Sequence, residues 1–282
     1  MPIESISDTA RWVAIYRAME TERPDALFHD PFARRLAGPR GEEIVRTMPR
    51  GRSMAWPMIV RTQVVDEMIL QCVGEGADLV VNLAAGLDTR PFRMALPPQL
   101  LWVEVDFPQF LAEKKEAMAG AKPVCRFEAV GMDLTDRAAR QALFRRLGGS
   151  AQRGVVITEG LLVYLTETLV GELATDLRAV PAFRWWLTDL ASPRLLKMLA
   201  KQWGPALKAG NAVMQWAPAQ GVEFFRPFGW KLGEFRSTWE EAHRLRREMA
   251  LAWFWRFLGR FYPAKQREEF RTMSGMVKLV AE

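Results

Sequence analysis

The sequence predicts an α/β fold in which helices cover both faces of a doubly wound, mostly parallel β-sheet. From residue 78 onward, short apolar runs alternate with helical patterns, as in β-α units around a parallel sheet. The run Leu79-Val80-Val81 carries no polar residue, which is typical of a strand buried on both faces. Small or acidic residues follow several of these runs, at the strand ends where open α/β sheets bind their ligands.

The composition is that of a soluble globular protein. The chain has 282 residues, of which 49% are hydrophobic and 26% charged, so it can form one elaborated domain. Its two cysteines indicate no disulfide framework and suit a reducing cytoplasm. The N-terminus has no signal-peptide pattern, and no run approaches the roughly 20 apolar residues of a membrane span. We therefore expect a cytoplasmic protein, and with only two histidines we expect no His/Cys metal site.

The net charge of +6 and the pI near 9.6 raise the question of an anionic partner. Most of the excess lies in dispersed arginines, with a denser patch at Arg244, Arg246 and Arg247. Glutamates alternate with that patch, as on a solvated helix face. The chain has no recognisable nucleic-acid-binding motif. We expect neither a nucleic acid nor a membrane as partner, and an anionic small substrate explains the charge equally well.

The region before the sheet is predicted to be largely helical. Residues 5–20 and 55–73 carry apolar side chains at helical spacing, and Arg61 lies within the second of these helices. Residues 23–41 are interrupted by prolines and glycines and predict only turns and short helices.

Strands and helices then alternate regularly. The predicted strands are 79–83, 101–105, 124–129, 154–158 and 183–189, and the helices between them are 92–95, 108–119, 137–147 and 167–178. Residues 193–226, rich in aromatic residues and proline, predict an inserted helical lid. A helix pair packed on the sheet without substrate contact is the alternative. Residues 229–237 predict a sixth strand, residues 240–257 an amphipathic helix, and residues 276–280 the last strand.

Two neighbouring strand ends carry the pattern of a nucleotide site. After Leu79-Val80-Val81 come Ala84-Ala85-Gly86, whose small side chains let a ligand approach the backbone. About 20 residues on, Leu101 to Val105 ends in Asp106, where such sheets hold ribose hydroxyls. An ordinary exit from strand to loop is the alternative interpretation of the first segment taken alone.

Asn82 to Arg90, followed by Glu104 to Pro108, resembles the leucine carboxyl methyltransferase family of class I S-adenosylmethionine-dependent methyltransferases. The family motif is usually Gly-Ala-Gly-Leu-Asp-Thr-Arg, and Ala84 occupies its first glycine position, where a methyl group narrows the cofactor cleft without closing it. The resemblance extends from about Arg11 to Val170 and returns from Gly229 to Ser237.

The resemblance implies a Rossmann-like fold with a seven-stranded sheet, whose last strand is antiparallel. It implies a single domain, divided into an N-terminal helical cover (1–75), a cofactor-binding core (76–192), the lid (193–226) and a C-terminal strand-helix-strand unit (227–282). It also implies S-adenosylmethionine as the cofactor.

The family also assigns the methionine end of the cofactor. Arg61 falls on the arginine that binds its carboxylate, a task for which the guanidinium fork is suited. The backbone of Ala84, Ala85 and Gly86 is expected to approach the methionine portion. Asp88 either holds this loop or faces the ammonium group, and a simple Asx-turn is the equal alternative.

The nucleoside end depends on the second and third strands. Asp106 is expected to accept hydrogen bonds from the ribose hydroxyls, although Glu104 lies on the same side of the strand and competes for this role. Phe107, next in the motif, is counted among the cofactor-binding residues. Asp133 and Leu134 fall where the family binds adenine, and a helix cap is the alternative role for Asp133.

Glu159 and Tyr164 belong to a segment that resembles the family's Glu-Gly-Leu-Leu-x-Tyr signature. Glu159 is expected on the methionine side of the cofactor, with solvation as the alternative. Tyr164 is expected to face the transferred methyl group and the substrate, and a core role is its alternative.

These residues predict an O-methyltransferase acting on a carboxylate of a small metabolite or a peptide C-terminus. A carboxylate needs no general base at neutral pH, and no histidine lies near the motifs. A phenol or alcohol would require a base that the sequence does not supply. A nicotinamide-dependent oxidoreductase is disfavoured, because the loop lacks Gly-x-Gly-x-x-Gly. A cofactor-binding protein without turnover is the remaining alternative.

Overall fold

A seven-stranded sheet forms the centre of the molecule. The structure, a computed structural model, describes residue 3, residues 6–210 and residues 212–282. The strands are β1 (Leu79–Leu83), β2 (Leu101–Asp106), β3 (Arg126–Gly131), β4 (Gly154–Thr158), β5 (Phe183–Ala191), β6 (Trp230–Ser237) and β7 (Ser274–Ala281). Their order across the sheet is β3-β2-β1-β4-β5-β7-β6, and β7 alone runs antiparallel to its neighbours β5 and β6. The predicted fold class is therefore confirmed.

Eleven α-helices surround the sheet within the described residues. They are α1 (Ile6–Thr21), α2 (Ala33–Thr47), α3 (Ala55–Gly74), α4 (Arg90–Arg93), α5 (Pro108–Ala117), α6 (Arg137–Gly148), α7 (Glu167–Arg178), α8 (Pro193–Ala209), α9 (Thr238–Arg244), α10 (Ala252–Gly259) and α11 (Ala264–Arg271). Three 3₁₀ segments add Arg52–Met54, Leu162–Tyr164 and Gly221–Phe228. None of the described helices is both long and apolar enough to cross a membrane.

The sheet is buried on both faces, as the apolar strand sequences require. On one face, side chains of α6 and α7 pack with Phe183 and Trp186 of β5. On the other, α3 packs against β1, β4 and β5, where Trp102 of β2 is fully buried. A third cluster joins α1 and α2 to α8, with the Trp12 and Trp203 rings 4.9 Å apart.

The topology places one crevice at the carboxyl ends of the strands. The strand order reverses between β1 and β4, which pair in parallel from Leu79 opposite Gly154 to Asn82 opposite Ile157. Loops leave this edge in opposite directions on either side of the reversal, and a ligand site is expected in the gap between them. The N-terminal helix α1 lies over this edge, because its Arg17 donates to the Leu87 carbonyl in the loop after β1.

The structure corrects the predicted helix over residues 240–257. Helix α9 ends at Arg244, and α10 begins only at Ala252, because Arg246 and Leu251 adopt left-handed φ angles of 55° and 61°. Between the two helices Arg247 turns inward and pairs with the fully buried Glu20 at 2.8 Å. This buried ion pair overrides the helical periodicity of the local sequence, and Arg247 is not part of a solvated helix face.

The Pro-punctuated N-terminal region is more helical than its sequence predicted. Residues 33–47 form α2, which is kinked where Gly38 has a φ of 58° and Pro39 follows it. Helix α11 was not predicted either. Within the predicted lid, α8 is a single helix whose Trp203 indole donates to the carbonyl of Pro49, so α8 rests on the N-terminal cover.

Candidate functional site

The loop after β1 brings the backbone to the crevice in an unusual conformation. Ala84 and Gly86 both have φ angles of 53°, in the left-handed region that glycine favours. The amide of Ala85 donates to the Val105 carbonyl at 3.2 Å, which fixes the loop against β2. A Cβ atom at Gly86 would lie 3.4 Å from the Ala10 methyl group, so α1 closes over this turn. Ala84 is therefore an alanine in a strained, left-handed backbone conformation, which a glycine at this position would adopt without strain.

Asp106 joins the tips of the first two strands. Its Oδ2 accepts from the Gly86 amide at 2.7 Å, and its Oδ1 accepts from the Phe107 amide at 2.8 Å. Burial raises the pKa of this carboxyl, although the two amide donors act in the opposite direction. Each oxygen retains a second lone pair, so the carboxylate has capacity for the two hydroxyls of a ribose.

Glu104 does not compete for this role. Its side chain is fully buried, and its Oε2 lies 2.6 Å from the Lys114 ammonium of α5. Burial raises the pKa of the Glu104 carboxyl to about 7, even though Lys114 favours the ionised form. Glu104 and Lys114 thus form an internal pair beneath the crevice, while Asp106 occupies the strand tip.

Arg61 lies between the ends of β4 and β5. Its Nε donates to Glu159 at 2.9 Å, and its Nη1 donates to Asp189 at 3.2 Å. Asp189 also accepts from the Gly160 amide at 2.6 Å, so it positions the turn after β4 as well. Within the described part of the chain, these contacts leave Nη2 of Arg61 for an anionic ligand. The predicted assignment of Arg61 to the methionine carboxylate is compatible with this geometry.

Glu159 is held between two arginines and is not solvated. Besides Arg61, it pairs with Nη2 of Arg90 at 2.7 Å. Burial alone would raise the pKa of this carboxyl, but Arg90 and Arg61 outweigh it and lower the pKa below the ordinary range. Glu159 is therefore ionised at neutral pH and fixed beside the crevice.

Arg90 is the centre of this network, and sequence reasoning did not assign it a role. It is almost fully buried, and it pairs with Asp66 of α3 at 2.6 Å and with Asp88 at 2.8 Å. Asp66 in turn binds Arg93 at 2.6 Å. The only signal in the sequence was the position of Arg90 at the end of the motif. Its carboxylate partners come from three separate parts of the chain, so no local pattern links them to Arg90.

Asp88 stabilises its own loop. Its Oδ1 accepts from the Arg90 amide at 2.8 Å, which is an Asx-turn, and its Oδ2 accepts from Asn82 of β1 at 2.7 Å. Burial would raise the pKa of Asp88, but Arg90 and Lys114 lower it far below its usual range. The Asx-turn given as the alternative for Asp88 is thus present, and its contacts favour holding the loop over facing the ammonium group.

The N-terminal cover is attached to this loop by buried polar contacts that the sequence did not reveal. Arg17 of α1 donates to Asp30 at 2.8 Å and to the Leu87 carbonyl at 2.5 Å. Asp30 also accepts from the Thr89 hydroxyl at 2.7 Å. Because the three residues are buried, α1 and the loop after β1 form one polar unit.

The segment after β3 presents exposed groups beside Asp106. Asp133 accepts from the amide and the hydroxyl of Thr135 through Oδ1, at 2.8 and 2.7 Å. The cap of α6 is Asp136, whose side chain accepts from the Ala139 amide, so Asp133 is not the helix cap. Leu134 is half-buried nearby, and the exposed ring of Phe107 follows Asp106. The adenine role of these residues stays a prediction.

Tyr164 lies beside Arg61 and Asp189, and its hydroxyl hydrogen-bonds the side chain of Thr9 on α1. Burial raises the pKa of this phenol, and Arg61 counteracts the effect only in part. The hydroxyl is thus protonated at neutral pH, and it can donate a hydrogen bond but cannot accept a proton from a substrate. Its place between the N-terminal cover and the strand tips suits the predicted substrate side.

The donor set fits a molecule with an anionic end and a ribose. Arg61 offers a cationic edge at one side of the reversal, and Asp106 offers a carboxylate at the other. Between them, the small residues Ala84, Ala85 and Gly86 let a ligand come close to the backbone of the turn, while the Ala85 and Gly86 amides hold the turn against β2. These are the groups that S-adenosylmethionine requires at its two ends.

Comparison with known proteins identifies the family. Residues 10–177 match the family model described as leucine carboxyl methyltransferase. The chain belongs to the leucine carboxyl methyltransferase family. The match includes every residue proposed above for the cofactor, from Arg61 to Glu159, and it confirms the resemblance noted in the sequence.

Relatives from actinobacteria agree with this assignment. A Mycobacteroides abscessus protein assigned as an S-adenosyl-L-methionine-dependent methyltransferase is 38% identical over 174 residues, which span 58% of this chain and 56% of that protein. A Streptomyces coelicolor protein of the same assignment is 31% identical over 258 residues, or 87% of both chains. This family member is thus a methyltransferase enzyme with S-adenosylmethionine as cofactor. The nicotinamide-dependent oxidoreductase and the cofactor-binding protein without turnover are set aside.

Solved structures show the same fold at low sequence identity. A protein of the DUF574 family from Streptomyces avermitilis superposes with a TM-score of 0.62 at 12% identity, covering 97% of both chains. A protein assigned as a methyltransferase from Thermobifida fusca gives a TM-score of 0.59 at 13% identity, covering 100% of this chain and 96% of that one.

Proposed function

We propose that this methyltransferase transfers the methyl group to a carboxylate oxygen, on a small metabolite or at a peptide C-terminus. The observation that carries the proposal is the state of the ionisable groups around the crevice. A carboxylate is already ionised at neutral pH and attacks without losing a proton, whereas a phenol or alcohol must give its proton to a base.

Neither Glu159 nor Tyr164, which lie on the predicted substrate side, is suited to be that base, and the Asp189 carboxylate is held by Arg61 and the Gly160 amide. Glu159 is ionised but fixed between two arginines, and the Tyr164 hydroxyl keeps its proton because its pKa is raised. Both histidines are exposed, and His243 lies on α9 with its Nδ1 3.3 Å from Glu248. An acceptor that needs no base is therefore the chemistry that this arrangement favours.

The residues of the chain would bind the cofactor and align it with the acceptor. The bound cofactor supplies an electrophilic methyl group on a sulfonium. Arg61 would bind its carboxylate end and Asp106 its ribose, so that the methyl group is directed to one place. Helix α1 lies against the loop after β1 through Arg17, while the Tyr164 hydroxyl, positioned by Thr9, would donate to the incoming acceptor.

A methyl-transfer assay tests the acceptor class directly. Tritiated S-adenosylmethionine is incubated with the protein and with matched sets of aliphatic carboxylates, peptides and phenols. A carboxyl methyl ester releases volatile methanol in mild alkali, whereas a methyl ether does not. We expect alkali-labile label and a rate that is nearly independent of pH between about 6 and 9, since the acceptor is ionised throughout this range. Alkali-stable label and a rate that rises steadily with pH would assign a hydroxyl acceptor instead.

A further inference from the structure

Helix α10 carries a cluster of aromatic side chains that the fold leaves uncovered. Trp253, Phe254, Trp255, Phe257 and Phe261 are all exposed, with Trp253 at 69% and Phe261 at 74% of full exposure. Leu251, which precedes the helix, is also exposed. Single apolar residues on a surface are ordinary, but six within eleven positions form a patch that indicates a binding surface. We call these six residues the α10 patch.

The chain around this helix has a local excess of positive charge. Residues 245–267 contain six basic residues and a single acidic one, Glu248, whereas the net charge of the whole chain is only +6. Arg246, Arg260, Lys265 and Arg267 are exposed. Glu248 is already paired with Arg256 at 2.7 Å, so it does not offset the exposed cations. An anionic partner is therefore complementary to this surface.

The helix is firmly attached at its base while its aromatic side chains stay exposed. Arg256 donates to the Trp239 carbonyl at 3.0 Å, and its guanidinium lies 4.6 Å from the centre of the Trp239 ring on α9. Beside the helix, a cleft of about 370 Å³ is lined by residues that include Arg52 and Arg246. The lining also includes Glu20 and Glu248, which pair with Arg247 and Arg256. The cleft therefore borders the loop before α10 and adds the cations Arg52 and Arg246 to this side of the molecule.

We propose that the α10 patch docks the protein on the surface of a bilayer that contains anionic phospholipid. Tryptophan and phenylalanine prefer the boundary between headgroups and acyl chains, and flanking arginines and lysines are attracted by anionic headgroups. The sequence predicted no membrane partner because no run is long enough to span a bilayer. Docking on the surface requires no such run.

Two other partners, a second copy of the chain and single-stranded RNA, fit the α10 patch less well. A second copy of the chain in a twofold dimer would place this basic patch against itself. Single-stranded RNA stacks its bases on open ring faces along a basic groove, whereas these rings pack mostly edge-to-face, as Phe257 and Phe261 do at 5.5 Å and 76°.

Co-sedimentation of the full-length chain with vesicles tests the proposal. We expect binding to vesicles of phosphatidylcholine mixed with phosphatidylglycerol, and much weaker binding to phosphatidylcholine alone. The double variant Arg260→Gln/Lys265→Gln should bind about 25-fold more weakly at low salt, at about fivefold per cation, and this deficit should vanish in high salt. Trp253→Ser/Phe257→Ser should bind more weakly at every salt concentration, because it loses apolar contact with the bilayer.

The control is Arg145→Gln, which removes one exposed cation on α6 and should leave vesicle binding unchanged. S-adenosylmethionine affinity, measured in parallel, should be the same for all variants and shows that they are folded. Absence of vesicle binding at low salt overturns the proposal, as does equal binding to the two vesicle types. A dimer that Trp253→Ser disperses would assign the patch to a second copy, and tight binding of oligouridylate without vesicle binding would assign it to RNA.

Discussion

Asp106→Asn tests the junction between the two strand tips. The carboxylate accepts the amides of Gly86 and Phe107 through separate oxygens, at 2.7 and 2.8 Å. An asparagine side chain keeps the shape but has one oxygen, and its NH₂ group would face one of these two donors. The substitution therefore removes one acceptor for the loop and the negative charge available to the ribose hydroxyls.

The expected loss follows from the hydrogen bonds involved. A hydrogen bond to a charged group is worth about 1.5–3 kcal/mol, so cofactor affinity should fall by about 10- to 150-fold. The free energy of unfolding should change less than this. Asparagine carries no charge, so the variant also avoids the cost of burying an ionised carboxylate, which is the cost that raises the pKa of Asp106. The two effects are thus expected to separate, with the larger one on cofactor binding.

Isothermal titration with S-adenosylhomocysteine and urea unfolding measure the two quantities. Asp136→Asn is the matched control, because asparagine caps a helix as well as aspartate does and this residue lies at the start of α6. A dissociation constant within twofold of wild type for Asp106→Asn would refute the ribose assignment. A loss of stability with unchanged affinity would confine Asp106 to holding the loop.

Three further substitutions probe the crevice and its support. Ala84→Gly should raise the free energy of unfolding by about 0.5–1 kcal/mol in urea titrations, because it relieves left-handed strain, whereas Ala85→Gly should lower it. Glu104→Gln/Lys114→Met should flatten the pH dependence of unfolding. Because the pKa of Glu104 is raised, the folded state binds more protons than the unfolded state between pH 4.5 and 7. The free energy of unfolding of the wild type should therefore fall by up to about 3 kcal/mol as pH rises through that window. The variant lacks this carboxyl and should not show the fall. Arg61→Lys should weaken cofactor binding at least about tenfold in calorimetry, since a point charge does not replace a fork, and unchanged binding would place the methionine carboxylate elsewhere.

The parts of the fold that were predicted correctly follow from local periodicity. Strands β1 and β4 and helix α7 have the predicted bounds, because a strand buried on both faces and an amphipathic helix leave a pattern within their own residues. The predicted helix over residues 240–257 was wrong for the opposite reason. Its break depends on Arg247 reaching Glu20, a residue 227 positions away, and no local pattern carries that information.

The same distinction applies to the site. Asp106 and Gly86 were identified from the spacing of two strand ends, and the structure brings them to 2.7 Å. The ion-pair network was not predicted, because Arg61 meets Glu159 across 98 positions and Asp189 across 128. An arginine at the end of a motif does not reveal, by itself, which carboxylates will surround it.

The ion-pair network beside the crevice has a role that stability alone does not account for. Three cations and four anions lie together beside the crevice: Arg61, Arg90, Arg93, Asp66, Asp88, Glu159 and Asp189. Buried ion pairs often cost as much in desolvation as they return in attraction, so apolar replacements could give an equally stable fold. Such replacements could not keep Arg61 and the loop after β1 in fixed orientations before the substrates bind. In the proposed transfer from a sulfonium to a carboxylate, charge disappears, and groups that need no rearrangement during that step favour the reaction most. The network is therefore best understood as preorganisation of the crevice.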